Sequence, residues 1–339
     1  MSTPEDGPRF SDEQYSRLGW FRERYEAIAN GSLGPNAQKT FLGDRKVRIC
    51  RYCGKSKPDV SFRKTAHAFP EQIGNTRLID HWECDTCNGH FSVQVEDHFG
   101  KYTMPLRTFS RVSGKSGIPT YKSKDGALRI EGRSPSDIFI RGVRGDARIE
   151  HDEDAKTLRY ALTRQPYVPM GVFKCFVKMA IAVMPEPEAT ACGHLKQWIL
   201  EPTHTFESFP YKPLTVFTQM ISGPLSPNTI TYCLLRRIAT CRESPYLILI
   251  LTFANAIYQI TVPMPVEDGL LAEPLSFEMR YFPHVWETDF HTKKFGPVNR
   301  EVVDLSSCEV VRDDVVYFVM SYERADRQAP PPSSDPPSA

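Results

Sequence analysis

Residues 50–97 read CRYCGKSKPDVSFRKTAHAFPEQIGNTRLIDHWECDTCNGHFSVQVED, and this one stretch decides what the chain can be. It holds two C-x-x-C pairs, Cys50 with Cys53 and Cys84 with Cys87, and the inner members stand 31 positions apart. A two-residue gap lets both thiolates of a pair turn onto one ion, and four soft sulfur ligands in two such knuckles are what tetrahedral zinc prefers. From Cys50 to about Lys101 the chain is polar and short of large aliphatics. A bound ion would supply the stability that so small an apolar content cannot. The other five cysteines, Cys175, Cys192, Cys233, Cys241 and Cys308, are scattered through apolar or mixed surroundings. Metal binding in a reducing compartment fits that distribution better than a disulfide framework.

Zinc alone names no chemistry, so the residues between and after the pairs must decide. Between them lies Ala66-His67-Ala68-Phe69-Pro70-Glu71-Gln72-Ile73-Gly74-Asn75, and Asn88 follows the last cysteine directly. This pattern resembles the HNH endonuclease family, in particular the branch whose ββα-metal core is braced by a four-cysteine zinc site, over about 50 of the 339 residues. The resemblance implies a β-hairpin and helix clamping one divalent ion, with His67 activating water. Pro70, Gly74 and Asn75 match the motif, Asn75 fixing the loop or orienting His67. Asn88 stands where other members carry a final metal-binding histidine. The commonest pattern also has an acidic ligand just before the general base, and here that position is Ala66. Glu96 lies eight residues after Asn88, about two turns along one face if the segment is helical. Glu96 is therefore the leading substitute carboxylate, with His90 and Glu71 behind it. The implied cofactors are structural Zn2+ and catalytic Mg2+ or Mn2+. A histidine suits the base because its ordinary pKa is near neutrality.

Charge is placed locally. The chain carries a net charge of only +1, yet residues 39–65 hold nine Lys or Arg against Asp44 and Asp59, and residues 101–124 hold six against no acid. These runs bracket the motif and could contact several phosphates. Arg107, Arg111, Lys115 and Lys122 are the expected backbone contacts. DNA is the expected partner, with RNA left open.

Outward from this head, the fold expected is α+β. Residues 1–45 read as an amphipathic helix, running from Ser11 to near Asn30, and a linker; 46–105 as the HNH-like zinc-braced head, entered by a strand-like run Lys46 to Ile49. Residues 106–325 read as a larger mixed α+β accessory domain, and 326–339 as a disordered Pro/Ser-rich tail. In the accessory part, Met170 to Met184 forms a helical stripe with Lys174 and Lys178 interspersed. Segments such as Leu247 to Phe253, Ala256 to Val262 and Val315 to Ser321 read as strands of a mainly antiparallel sheet. Trp198, Trp286, His204 and His291 could line a pocket but are read as ordinary packing.

A composition 40% hydrophobic and 24% charged describes a soluble globular chain. The longest apolar run, Tyr246 to Ala254, is far too short to cross a bilayer. The opening MSTPEDGPRF lacks the features of an export signal, so a cytoplasmic location is expected. Two alternatives to a nuclease stay open: a zinc module that binds nucleic acid without cleaving it, and a structural protein-interaction domain.

Overall fold

The structure is a computed structural model that describes residues 10–143, 145–207, 209, 211–269 and 278–323. The expected tail, 326–339, lies outside the described residues. Among them no helix is long and apolar enough to cross a membrane.

Helix α1 (Asp12–Arg24) starts in a capping box: the Ser11 hydroxyl accepts from the Gln14 backbone, and the Gln14 side chain accepts from Ser11 N–H. The periodic apolar residues predict a helix reaching Asn30, but it ends at Arg24. Tyr25–Leu33 forms strand β1, paired antiparallel with Ile230–Arg237. Pairing with a distant strand supplies a full ladder of backbone hydrogen bonds and buries Tyr25 and Leu33, which outweighs local helical periodicity.

Next come β2 (Thr40–Leu42), β3 (Ala66–His67) and β4 (Leu78–Asp80), which form a small sheet ordered β2-β4-β3. The run Lys46 to Ile49 is no strand; only Ile49 makes a bridge, to Ser56. A 3-10 turn at Glu71–Ile73 lies inside the β3–β4 hairpin. Helices α2 (Asp85–Gln94) and α3 (Glu96–Phe109) follow. The helix expected to carry both Asn88 and Glu96 is broken at Val95, whose φ of −125° and ψ of −58° depart from helical geometry. Asn88 thus lies in α2 and Glu96 at the first position of α3.

Two small antiparallel sheets, β5 (Thr120–Lys122) to β7 (Asp137–Arg141) through β6 (Arg129–Ser134), and β8 (Ile149–Asp152) with β9 (Thr157–Thr163), pack beside α3 around Met104, Tyr121 and Leu162. Helix α4 (Pro169–Val183) is buried along its whole length, and α5 (Glu186–Ala191) and α6 (Gly193–Ile199) complete the helical layer. The chain then builds β10 (Thr215–Met220), β11 (Ile230–Arg237), β12 (Leu247–Phe253) and β13 (Ala256–Val262). After α7 (Asp289–Phe295) come β14 (Asn299–Asp304) and β15 (Val315–Ser321). The six-stranded sheet runs β1-β11-β12-β13-β10-β14, and β15 joins β9. Every residue of β12 is buried, as expected for a continuous apolar strand covered on both faces. The result is a mixed α+β fold: a small ββα-like region beside a four-cysteine cluster, and a larger sheet-rich region.

One core joins the two regions. Phe69, Ile73, Phe91 and Phe99 of the small region pack with Phe173 and Phe176 of α4, and through them with Leu249 and Tyr258 of the large sheet. Arg51, inside the first cysteine pair, reinforces the junction. Its Nη1 donates to the carbonyls of Ile181, Ala182 and Met184 at 2.9–3.0 Å, satisfying the open end of α4, and its Nη2 meets Glu186 at 2.8 Å. The guanidinium lies 3.6 Å from the Trp82 ring centroid.

Candidate metal centre and nuclease site

The four motif cysteines come together. Their sulfurs all lie within 4.8 Å of one another, with Cys50 to Cys87 at 3.7 Å and Cys53 to Cys84 at 3.8 Å. A tetrahedron with metal–sulfur bonds of about 2.3 Å has edges of about 3.8 Å, so these distances fit a tetrahedral ion. Local chemistry makes the knuckles. Gly54 takes a φ of +70° as the chain turns after Cys53, and its N–H donates to the Cys50 carbonyl. Cys84 is the N-cap of α2, its sulfur accepting from Cys87 N–H. The hydrogen bond with Cys87 pulls the Cys50 thiol down, while burial pushes Cys84 up. Four thiolates this close require a cation, and sulfur ligands favour zinc. Among the described residues this is the one cluster of His, Cys, Asp or Glu side chains with metal-holding geometry.

The hairpin beside it is tightly tied. Asn75 is wholly buried: its amide donates to the Phe69 and Leu78 carbonyls at 2.8 and 3.1 Å, and its oxygen accepts from Arg77 and Leu78 N–H. All four hydrogen-bonding sites of the Asn75 side chain are thereby spent on closing the loop after His67. Gly74 sits at φ +95° against Asn228, where a Cβ would approach that backbone to 3.0 Å.

His67 ends β3 opposite Ile79, with a partly exposed ring whose Nδ1 is 3.8 Å from a Glu71 carboxylate oxygen. Burial lowers its pKa, Glu71 and Glu96 oppose that, and the charges of Lys178 and Lys115 add to it. The imidazole is therefore neutral at neutral pH.

Sequence reading missed the groups behind this strand. Lys178 of α4, fully buried, reaches into the head: its Nζ donates to the His67 carbonyl at 2.7 Å and lies 3.1 Å from Glu83 and 3.4 Å from Glu96. Burial works against its charge, but Glu83, Glu96 and Asp80 outweigh it and hold the ammonium protonated. The same burial pushes Asp80 up to about 6 and Glu83 to about 8. Asp80 stands directly across from Ala66, so a carboxylate faces the position where the motif lacks one. An acid closing the otherwise apolar strand Leu78–Asp80 was the available signal; nothing near Lys178 in sequence announces its partners.

The remaining predicted residues are placed as follows. Asn88 is half-buried in the first turn of α2, its backbone N–H bonded to the Cys84 carbonyl. Glu96 faces Lys178, and its own carbonyl accepts from Gln72. His90 contacts the Ile199 carbonyl, and His98 accepts from Val168 N–H. Arg107 is a correction: it is buried, and its guanidinium bonds Thr103 and the Gln72 and Gly100 carbonyls, so it braces α3 and presents no charge to a phosphate. Arg111 is half-buried and bonds the Pro135 carbonyl, whereas Lys115 and Lys122 are exposed. Trp198 and His204 both lie near Lys174 of α4, and Trp286 packs on His291.

With this geometry in view, the comparison with known families is decisive for the small region. Residues 50–104 match the HNH endonuclease family. The head is an HNH-like nuclease domain carrying a four-cysteine metal-binding cluster. No curated protein and no solved structure matches the chain.

Proposed function

We propose that this protein is a metal-dependent endonuclease of the zinc-braced ββα-metal kind that hydrolyses DNA phosphodiester bonds at the face bearing His67. The observation that carries the reading is the family match over residues 50–104 combined with a neutral, partly exposed imidazole on the hairpin at the motif position.

Neutral His67 takes a proton from water; the water oxygen forms the new bond to phosphorus as the bond to the leaving ester oxygen breaks. Asn75 holds the loop that aims the imidazole and touches no reacting atom. Asn88 and Glu96 would offer oxygen donors to Mg2+ or Mn2+, an ion that when bound would neutralise charge on the phosphate and leaving oxygen. Lys115, Lys122 and Arg111 flank the cleft as phosphate contacts. The four cysteines hold Zn2+ and give the head its rigidity.

A second reading has its own support. Glu96 already faces Lys178, which favours a zinc module that binds nucleic acid without cutting it. Incubating supercoiled plasmid with the purified chain and Mg2+ or Mn2+ separates the two. The nuclease reading expects nicked or linear product from wild type and none from His67→Ala with its zinc retained. Binding without product under either metal favours the module.

A further inference from the structure

The sheet row that carries His67 continues outward into a surface the catalytic reading does not use. His67 pairs with Ile79, and Ile79 pairs on its other side with Phe41. Residues directly opposite one another across neighbouring strands share a face, so Phe41, Ile79 and His67 form one row on one side of the sheet. Phe41 is 53% exposed, unusual for so large an apolar side chain. His81, two residues beyond Ile79 and hence on the same face, stacks against it with ring centroids 5.0 Å apart and planes within 13°. The loop that follows leaves Val47 and Ile49 exposed as well. The positive charges of Arg45 and Arg48 reach His81, with Asp44 the opposing acid. The arrangement is held rigidly: His81 N–H bonds the Leu42 carbonyl, and Gly43, at φ +84°, lies so close over Trp82 that a Cβ would approach the indole to 2.7 Å.

We propose that the Phe41–His81 stack is a platform for an unstacked nucleobase, with Arg45 and the exposed Lys46 meeting the adjoining phosphates. The proposal rests on the nuclease reading of the head for its orientation and specifies the substrate: nucleic acid with an unpaired base a few nucleotides from the scissile phosphate. An open aromatic face ringed by cations suits a base, because every base has a π-face and the backbone beside it is anionic. Two strand spacings separate Phe41 from His67, roughly 10 Å. At about 3.4 Å per stacked nucleotide this places the gripped base some two or three nucleotides from the bond cut.

The test uses the full chain, without added Mg2+ or Mn2+, titrated into oligonucleotides carrying the fluorescent base 2-aminopurine, as single strands of DNA and of RNA and as a fully paired DNA duplex. Wild type should quench the unpaired probe. Phe41→Ala should abolish the quench and weaken binding of the unpaired probe roughly 5- to 150-fold, with less than a twofold change on duplex. Phe41→Trp should restore both signals. Phe41 dependence in the DNA arm, the RNA arm or both supports the platform and identifies the strand it takes. Equal affinity of wild type and Phe41→Ala for both single strands, or an equal loss on duplex, overturns it. Cleavage without Phe41 dependence would leave the nuclease reading standing and remove the platform; Phe41-dependent quenching in a chain that never cleaves would do the reverse.

Discussion

Lys178→Met probes the joint between α4 and the head. Its ammonium and the Glu83 carboxylate are both essentially inaccessible, 1% and 0% exposed, at 3.1 Å. Methionine fills nearly the same volume, so the change removes charge and leaves packing almost intact. Removing the ammonium leaves Glu83, Asp80 and Glu96 without their shared cation, and breaking a buried ion pair from one side typically costs about 3–5 kcal/mol. At roughly 2.1 cal/mol/K of unfolding entropy per residue, a 339-residue chain unfolds with about 0.7 kcal/mol/K, so the midpoint should fall by about 4–7 °C. Pairing the change with Glu83→Met removes the most deeply buried of the carboxyl partners and should recover part of the loss, Glu96 and Asp80 still lacking their cation, because apolar replacement of a buried pair is close to neutral. Differential scanning calorimetry of wild type, both single variants and the double variant reads this directly. A single-variant midpoint within 1 °C of wild type, or a double variant worse than either single, would refute the reasoning.

Other expectations follow from the same contacts. Cys84→Ser, or competition by a strong chelator, should release one zinc per chain and unfold the head, seen as loss of near-ultraviolet circular dichroism alongside zinc release. Arg51→Lys should destabilise by roughly 2–4 kcal/mol in urea unfolding, since an ammonium cannot serve three carbonyls at the end of α4 and also stack on Trp82. His204 is pushed down to about 4 by burial and by the nearby Lys174 and His98. The unfolded chain takes up that proton near 6.5 and the folded chain only near 4, so its contribution to stability is whole above pH 6.5 and drains between these values. His204→Phe should therefore unfold less readily than wild type at pH 5 relative to their difference at pH 7.5.

What the sequence disclosed, and what it did not, follows the range of the interactions. Cysteine spacing is local, and it named all four members of the cluster. Strands Leu247–Phe253 and Ala256–Val262 are where β-branched and apolar content places them, because a covered strand writes its burial into consecutive residues, and Val315–Ser321 is where its β-branched and aromatic residues place it, with exposed and half-buried positions alternating. Tyr25–Leu33 did not reveal itself: its apolar spacing is compatible with a helix, and only the distant partner Ile230–Arg237 decides the matter. Lys178 reads in sequence as one charge interspersed in an apolar helix, and its meaning depends on Glu83 and Glu96, far away along the chain. Arg107 fails as a phosphate contact for the same reason, since the carbonyl of Gln72 that it serves lies in another element. The break at Val95, which puts Asn88 and Glu96 on separate helices, carries no proline or glycine to mark it.

The central claim is that His67 is the base of a hydrolytic nuclease, and the rate of plasmid cleavage as a function of pH, in wild type and His67→Ala at fixed Mn2+, tests it most directly. With the imidazole pKa lowered, mainly by burial, the wild-type rate should be flat above pH 7 and fall only as pH drops below the ordinary histidine range near 6.5, while His67→Ala keeps its zinc and loses cleavage by at least about 100-fold. A variant that cuts as fast as wild type with an unchanged pH profile would contradict the account.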